Sequence, residues 1–169
     1  MRRVAILPVI IAVAASSTAM ILVCGIAAAQ TLAAAPVVFR SGDWAVHRRL
    51  DPMTDANLCT ALYREASGIQ LGSHSLTIAI DGGVKNVTLR YDDEPARAAR
   101  LPKHSERSVS AVNIEGTEFD HLLQSGRLRY RVLTEADDVV EGDIDLTGAR
   151  DAYKNIQNGC LGEPISPAS

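Results

Sequence analysis

The sequence predicts a mainly β protein: an antiparallel β-sandwich with two short helices, or alternatively a β-rich α+β fold. Three observations predict it. Apolar and polar residues alternate with a period of two in several short stretches. Turn-forming Gly, Pro, Asp and Asn residues separate those stretches. Cys59 and Cys160 lie near the two ends of the patterned region. We expect roughly six or seven strands from this spacing.

Residues 1–29 have the order of a secretory signal peptide. A pair of arginines is followed by an uncharged, largely apolar run that ends in small residues at Ala29. The run is long enough to span a bilayer, so a retained N-terminal anchor is the alternative to cleavage. Lipidation of Cys24 is disfavoured because the preceding Val23 is not small. We predict cleavage after Ala29 and a location in the periplasm or the medium.

One domain is expected after cleavage, because 169 minus 29 residues leaves 140. We predict a spacer over 30–41, a single disulfide-closed β domain over 42–162 and a disordered tail over 163–169. The signal holds two of the 17 basic residues and none of the 20 acidic ones, so the remaining chain has 15 minus 20, a net charge of −5. This charge disfavours a nucleic acid partner. No integral membrane span is expected after cleavage.

After cleavage, Cys59 and Cys160 are the two remaining cysteines. In an oxidising compartment the simplest expectation is a disulfide between them, and two separate buried thiols are the alternative. Closing a loop of roughly 100 residues stabilises a fold by about 4–5 kcal/mol in the chain-entropy account.

Alternation predicts the strands of the first two thirds of the chain: 44–49, 58–65, 75–80, 87–91 and, more weakly, 108–114. Asp81-Gly82-Gly83 supplies residues that tolerate positive φ, so the two strands beside it are predicted to pair as an antiparallel hairpin. The polar segment 92–104 is predicted to be a surface loop.

Two short helices are predicted in the last third of the chain. The first begins at a capping Thr117, presents Phe119 and Leu122 on one face and ends at Gly126. The second covers about 149–157, where apolar residues recur at helical spacing.

The segment between these helices predicts a hairpin in one particular register. That register places three arginines opposite three acidic residues and apolar residues opposite one another. The predicted pairs are Arg127 with Asp145, Arg129 with Asp143, Arg131 with Glu141, Leu128 with Ile144, Val132 with Val140, and Tyr130 over Gly142. An anion-binding face is one interpretation of the arginines. We favour a solvated, self-neutralised face, because the acidic residues lie opposite.

No catalytic residue, metal ligand or cofactor is predicted. The histidines are scattered in the sequence, and each is predicted to lie at the surface: His47, His74, His104 and His121. Ser125 lacks the glycine frame of a nucleophile elbow. We therefore predict that the chain is not an enzyme, and a hydrolase would require a site that only folding assembles.

The loop from Asp92 to Arg107 contains one candidate binding site. Its basic residues stand out in an otherwise acidic protein: Arg97, Arg100, Lys103, His104 and Arg107. They could bind an anionic surface such as lipid headgroups or polysaccharide. A flexible connection is the alternative, which we favour.

Several short motifs occur in a characteristic order after the signal. They are Gly42-Asp43-Trp44-Ala45-Val46, Cys59, Phe119-x-x-Leu122-x-x-x-Gly126, Leu146-x-Gly148, and a helix with Ala152 before Cys160. This order resembles that of the invasion-associated locus B family of exported bacterial proteins. The resemblance implies a small β-sandwich in the periplasm or at the cell surface, with an envelope or host-interaction role and no enzymatic activity.

We therefore predict an exported, non-enzymatic binding module of the envelope or the medium, whose partner is an unknown protein or envelope component. A periplasmic inhibitor or accessory factor for an envelope enzyme is the alternative.

Overall fold

The computed structural model describes residues 35–64 and 68–165. Within these ranges the chain forms nine strands in two antiparallel sheets, together with three short helices, so the mainly β class is confirmed. The predicted signal peptide over 1–29 lies outside the described residues. No helix among the described residues is long and apolar enough to cross a membrane.

The larger sheet has six strands in the order β1-β2-β3-β4-β5-β7. They are β1 (Val37–Ser41), β2 (Trp44–Leu50), β3 (Asn57–Tyr63), β4 (Ile69–Leu71), β5 (Ser75–Ala79) and β7 (Ala111–Glu115). The smaller sheet has the order β6-β8-β9. Its strands are β6 (Asn86–Tyr91), β8 (Arg127–Leu133) and β9 (Val139–Asp145). The helices are α1 (His104–Val109), α2 (Thr117–Leu122) and α3 (Ala149–Gln157).

The apolar core includes the inward-facing side chains of both sheets. Trp44 on β2 is fully buried, as are Leu128 on β8 and Ile144 on β9. The indole Nε1 of Trp44 donates a hydrogen bond to the carbonyl oxygen of Asp145 at 3.2 Å, which links the two sheets directly. Fully burying a side chain such as Leu128 contributes about 1.5–3 kcal/mol, so alternate apolar positions hold the sheets together.

The two strands beside Asp81-Gly82-Gly83 are confirmed, but their predicted pairing is wrong. β5 pairs with β4 and β7 in the larger sheet, whereas β6 pairs with β8 in the smaller one. The two glycines, with φ of +84° and +78°, lie where the chain crosses between the sheets. Glu135 donates its N–H to the carbonyl of Gly82 at 3.1 Å. Turn chemistry fixes the local backbone, but burial of both sheets decides which strands pair.

The register predicted for the β8–β9 hairpin is confirmed along its whole length. Arg127 lies opposite Asp145, Arg129 opposite Asp143 and Tyr130 opposite Gly142. A Cβ atom added at Gly142 would overlap the Tyr130 ring, so the tyrosine does cover the glycine. A slip by one residue would move Leu128 out of the core, which is why one register is specified.

The predicted spacer over 30–41 is wrong at its end, because β1 lies there and pairs with β2. Val38 on β1 is buried. The disorder predicted for 163–169 is wrong at Ile165, which donates its N–H to the carbonyl of Val37 at 2.7 Å, and 166–169 lie outside the described residues. An Ala- and Val-rich sequence looks like a spacer, but here it supplies the apolar side of an edge strand.

The helices differ in part from the prediction. α3 is confirmed, but α2 ends at Leu122 and its N-cap is Gly116, so Thr117 is its first residue. Gly126 precedes β8 instead, where its N–H donates to Asp92 Oδ1 at 2.9 Å. Helix α1 was not predicted, because its segment is polar and gives no apolar stripe.

Candidate functional site

The predicted disulfide between Cys59 and Cys160 is confirmed. Their Cα atoms are 5.9 Å apart, within the usual range of about 4.4–6.8 Å, and 101 positions separate them in sequence. Cys59 is on β3, and Cys160 follows the end of α3 and is fully buried. The bond therefore ties the end of the last helix to the sheet on which that helix packs.

Charged side chains and one threonine cover the outward side of the smaller sheet. Alternation places them on the face opposite to the core. We call this surface the arginine–carboxylate face, and its members are Thr88 and Arg90 on β6, Arg127, Arg129 and Arg131 on β8, and Glu141, Asp143 and Asp145 on β9. Two clefts include residues of this face.

On this face, side chains do not always bond to the residue that lies directly opposite on the neighbouring strand. Arg131 does bond to Glu141, its direct partner. Asp143 lies opposite Arg129, yet its Oδ1 accepts a hydrogen bond from Arg127 Nε at 2.8 Å. Asp143 therefore bonds to Arg127 and not to Arg129, although the nearby Arg129 charge also lowers the pKa of Asp143.

The first cleft lies where the end of β3 approaches β8 and β9. Its volume is about 450 Å³, and it is lined by Tyr63, Arg64, Gly126, Arg127, Asp143 and Asp145. The backbone N–H of Asp145 donates to the Tyr63 hydroxyl at 3.2 Å. Arg64 bonds to Asp43 at 2.9 Å and stacks over the Tyr63 ring at 5.0 Å. Both arginines of this cleft therefore have a carboxylate partner.

Both carboxylates of the first cleft are held in their ionised form. The Arg127 guanidinium, which bonds to Asp143, lowers the pKa of that carboxyl. Hydrogen bonds from the side chain and the backbone of Thr147 lower the pKa of Asp145. A general acid needs a raised pKa near neutrality, so neither group is suited to donate a proton.

The second cleft lies over β6 and β8, with Ala96 at one side and Glu141 at the other. Its volume is about 280 Å³, and Arg90, Arg129 and Arg131 supply its cationic groups. The loop that contains Ala96 runs along the edge of β6 that faces away from β8, where Arg97 donates its N–H to the carbonyl of Leu89 at 2.9 Å. The sequence did not single out Arg90, because its neighbours across the sheet depend on the pairing of β6 with β8.

The predicted basic loop does not form one open cationic surface. Arg100 donates two hydrogen bonds of 2.8 Å to Glu106, whose side chain is fully buried. Lys103 Nζ lies 2.9 Å from a carboxylate oxygen of Glu115. These two cations are therefore neutralised within the fold.

The other three residues of this loop are spread over its surface. Arg97 stacks on the Tyr91 ring at 5.0 Å and lies 3.9 Å from Glu118. His104 and Arg107 are exposed on α1. Anion binding by this loop stays a prediction, but most of its charge already faces an acidic neighbour.

Glu106 is the buried acid that organises this loop. Burial alone would raise its pKa, but hydrogen bonds from Arg100 and from the amides of Asn113 and Lys103 outweigh burial and set the pKa at about 2. The carboxylate joins the loop, α1 and β7 in one network. No sequence pattern marks this residue, because it is one glutamate in a polar segment.

The surface position predicted for His47 is wrong. It is 1% exposed, and its Nδ1 lies 2.8 Å from the carbonyl oxygen of Ala35. His121 is half-buried against the edge of Tyr91, whereas His74 and His104 are exposed. Over 35–64 and 68–165, no group of three or more His, Cys, Asp or Glu residues could hold a metal ion.

Fold and disulfide together define a small two-sheet antiparallel β protein whose last helix is tied to its larger sheet. No known family profile and no curated protein matches the chain. The structure is similar to the crystal structure of invasion associated protein B from Bartonella henselae, with a TM-score of 0.40 and 12% identity. The similarity covers 72% of this chain and 96% of that one.

Proposed function

We propose that this chain is an exported, non-enzymatic binding module that meets its partner, a protein or another envelope component, through the arginine–carboxylate face. The observation that carries the proposal is the position of the two clefts. Both include side chains of β8, and both are lined by arginines and carboxylates at the surface. A face that presents both signs of charge within a small area suits recognition of a polar partner.

The ionisation of the first cleft supports binding over catalysis. Asp143 and Asp145 both have a lowered pKa, and each is occupied by a hydrogen bond from the chain itself. Acid–base hydrolysis by two carboxylates needs one of them protonated near neutral pH. Among residues 35–64 and 68–165, no histidine or serine lines either cleft.

Export is supported by the disulfide together with the predicted signal. A disulfide between Cys59 and Cys160 persists in an oxidising compartment and is rare in the cytosol. Residues 1–29 have the composition that directs a chain to such a compartment.

The test is capture of a partner by the mature chain. Purified protein that begins at Gln30 is immobilised and incubated with envelope extract, and bound material is identified by mass spectrometry. Two charge reversals of equal size are compared: Arg127→Glu on the face, and Arg150→Glu at an exposed position of α3. We expect wild type and Arg150→Glu to retain the same partner, and Arg127→Glu to lose it. Each variant must first show a native melting transition.

Two outcomes would contradict the proposal. One is capture that Arg127→Glu leaves unchanged, because the contact surface would then lie elsewhere. The other is turnover of an envelope substrate by the purified chain that Asp145→Asn abolishes, because the first cleft would then be an active site.

A further inference from the structure

We infer that the second cleft is a binding site for a tetrahedral oxyanion, such as a phosphate or sulfate group. The inference rests on the proposed function, since the cleft is part of the same face, and it names the chemistry of the ligand. Three of the residues that line the cleft are arginines and one is a carboxylate, Glu141. The cleft therefore has a formal excess of two positive charges in a chain whose net charge is negative.

Two of these arginines face each other across neighbouring strands. Arg90 on β6 and Arg129 on β8 are direct cross-strand partners. Like charges at opposed positions of a sheet are destabilising, and core packing does not require them on an outward face. An anion bound between the two guanidinium groups would attract both of them and so offset their mutual repulsion.

The hydrogen bonds of the two arginines go to neutral acceptors. Arg90 Nε donates to the backbone carbonyl of Glu94 at 2.8 Å, and Arg129 Nη2 donates to the backbone carbonyl of Asp92. The carboxylate of Asp93 is 3.8 Å from Arg129 and fully exposed to solvent. The backbone carbonyls orient the guanidinium groups without neutralising them, although the carboxylates of Asp93 and Asp143 also lie near Arg129.

Arg129 also has an unused donor. Its Nε is buried and has no hydrogen-bond partner among the residues that the structure describes. Buried polar atoms are nearly always hydrogen-bonded, so an unpaired donor beside a cleft indicates a missing acceptor. An oxyanion in the cleft would supply that acceptor.

The geometry of the donors favours a tetrahedral group. Guanidinium groups bind phosphate and carboxylate through paired N–H donors. Arg131 is paired with Glu141, so the donors for an anion come from Arg90 and Arg129. Donors that converge from two strands are matched by acceptor oxygens that do not lie in one plane, which phosphate and sulfate have and a carboxylate lacks. The volume of about 280 Å³ is just below the range of about 300–1,000 Å³ for small-molecule pockets, so the cleft suits a compact group.

The experiment is a titration of the isotope-labelled mature chain followed by NMR. Inorganic phosphate is added against sodium chloride at matched ionic strength. We expect saturable shifts of the Nε–H signals of Arg90 and Arg129 with phosphate, and none with chloride. A second arm uses vesicles of phosphatidylglycerol, with phosphatidylcholine vesicles as control. Vesicle binding that inorganic phosphate displaces would assign a lipid phosphate as the source, and binding of the free ion alone would assign inorganic phosphate.

Variants locate the site. Arg90→Gln and Arg129→Gln should each weaken phosphate binding by roughly tenfold or more, because each removes paired donors. Arg49→Gln, at an exposed position of the other sheet, should change the affinity by less than about twofold because surface charge acts only weakly at a distance. If Arg129→Gln does not give a native spectrum, Arg90→Gln carries the test.

The absence of saturable phosphate shifts, or equal weakening by Arg49→Gln and Arg90→Gln, would overturn the inference. Partner capture that persists without phosphate binding would overturn this inference alone. Partner capture that Arg127→Glu leaves unchanged, with phosphate binding intact, would overturn the proposed function alone.

Discussion

Asp143 lies directly opposite Arg129 in the β8–β9 register, yet its carboxylate bonds to Arg127, the preceding residue on the same face of β8. Backbone register and ion pairing are therefore set separately on this sheet. Burial of the apolar side chains fixes the register. Each long arginine side chain then bonds to one of the carboxylates within its reach.

The loss of stability caused by a substitution at Asp143 should depend on the charge of the new side chain. Asp143→Asn removes one partner of Arg127, whereas Asp143→Lys places a third cation beside Arg127 and Arg129. We expect Asp143→Lys to lower the melting temperature more than Asp143→Asn, because like charges directly opposite repel. The difference should shrink at high salt, which screens exposed charges. Equal effects of the two substitutions at low salt would contradict this electrostatic account.

Gly142 should tolerate a side chain only when Tyr130 becomes smaller. A Cβ atom at 142 would overlap the Tyr130 ring, and overpacking of this kind costs about 1–3 kcal/mol. We expect Gly142→Ala to be destabilising in wild type and nearly neutral in a Tyr130→Ala background. A double-mutant cycle from denaturant unfolding measures the coupling. Additive effects of the two substitutions would show that the ring does not cover this glycine.

The buried carboxylate of Glu106 should give the fold an acid-sensitive element. Its pKa falls from an ordinary value of 4.5 to about 2. Stabilisation is therefore complete above about pH 4.5 and is lost as the pH falls toward 2, with a total on the order of 3 kcal/mol.

The test of this network is urea unfolding of wild type and Glu106→Gln between pH 2 and pH 7, the range that brackets both pKa values. We expect Glu106→Gln to be less stable at neutral pH and to show a flatter acid dependence. Glu163→Gln, at an exposed position, is the matched control and should keep the wild-type slope. An unchanged slope in Glu106→Gln would mean that the carboxylate is not held ionised by Arg100.

Reduction of the disulfide should release the last helix. The apolar side of α3 rests on Ala149, Ala152 and Ile156, which is a small contact for a helix of nine residues. We expect reduction, or the double change Cys59→Ser with Cys160→Ser, to lower the melting temperature by more than about ten degrees. Hydrogen exchange should then be fastest in α3. A melting temperature that does not change would show that helix packing alone holds this end of the fold.

The parts of the fold that could be predicted are those in which charge on one face of a strand and burial on the other indicate the same arrangement. The β8–β9 register is one example, because charge on one face and burial on the other agree for Arg129 and for Leu128. The strands beside Gly82 were found for the same reason, but alternation reports which side is buried and not which strand is the neighbour. Their assignment to different sheets could not be predicted from local sequence.

The candidate site depends on that missing information. Arg90 becomes a cleft residue only because β6 pairs with β8 and not with β5. His47 is buried beside the carbonyl of Ala35, and Glu106 has its role because Arg100 bonds to it. Each of these contacts joins residues that are separated in sequence or lie in a segment without periodicity. No local sequence pattern therefore predicts it.

The most direct test of the account is the intact mass and thiol content of the chain recovered from the periplasm or medium of a producing cell. The account predicts a species that begins at Gln30 and lacks residues 1–29. After unfolding without reductant it should offer no thiol to an alkylating reagent, and after reduction it should offer two, at Cys59 and Cys160. A membrane-bound species that keeps residues 1–29, or two reactive thiols before reduction, would contradict it.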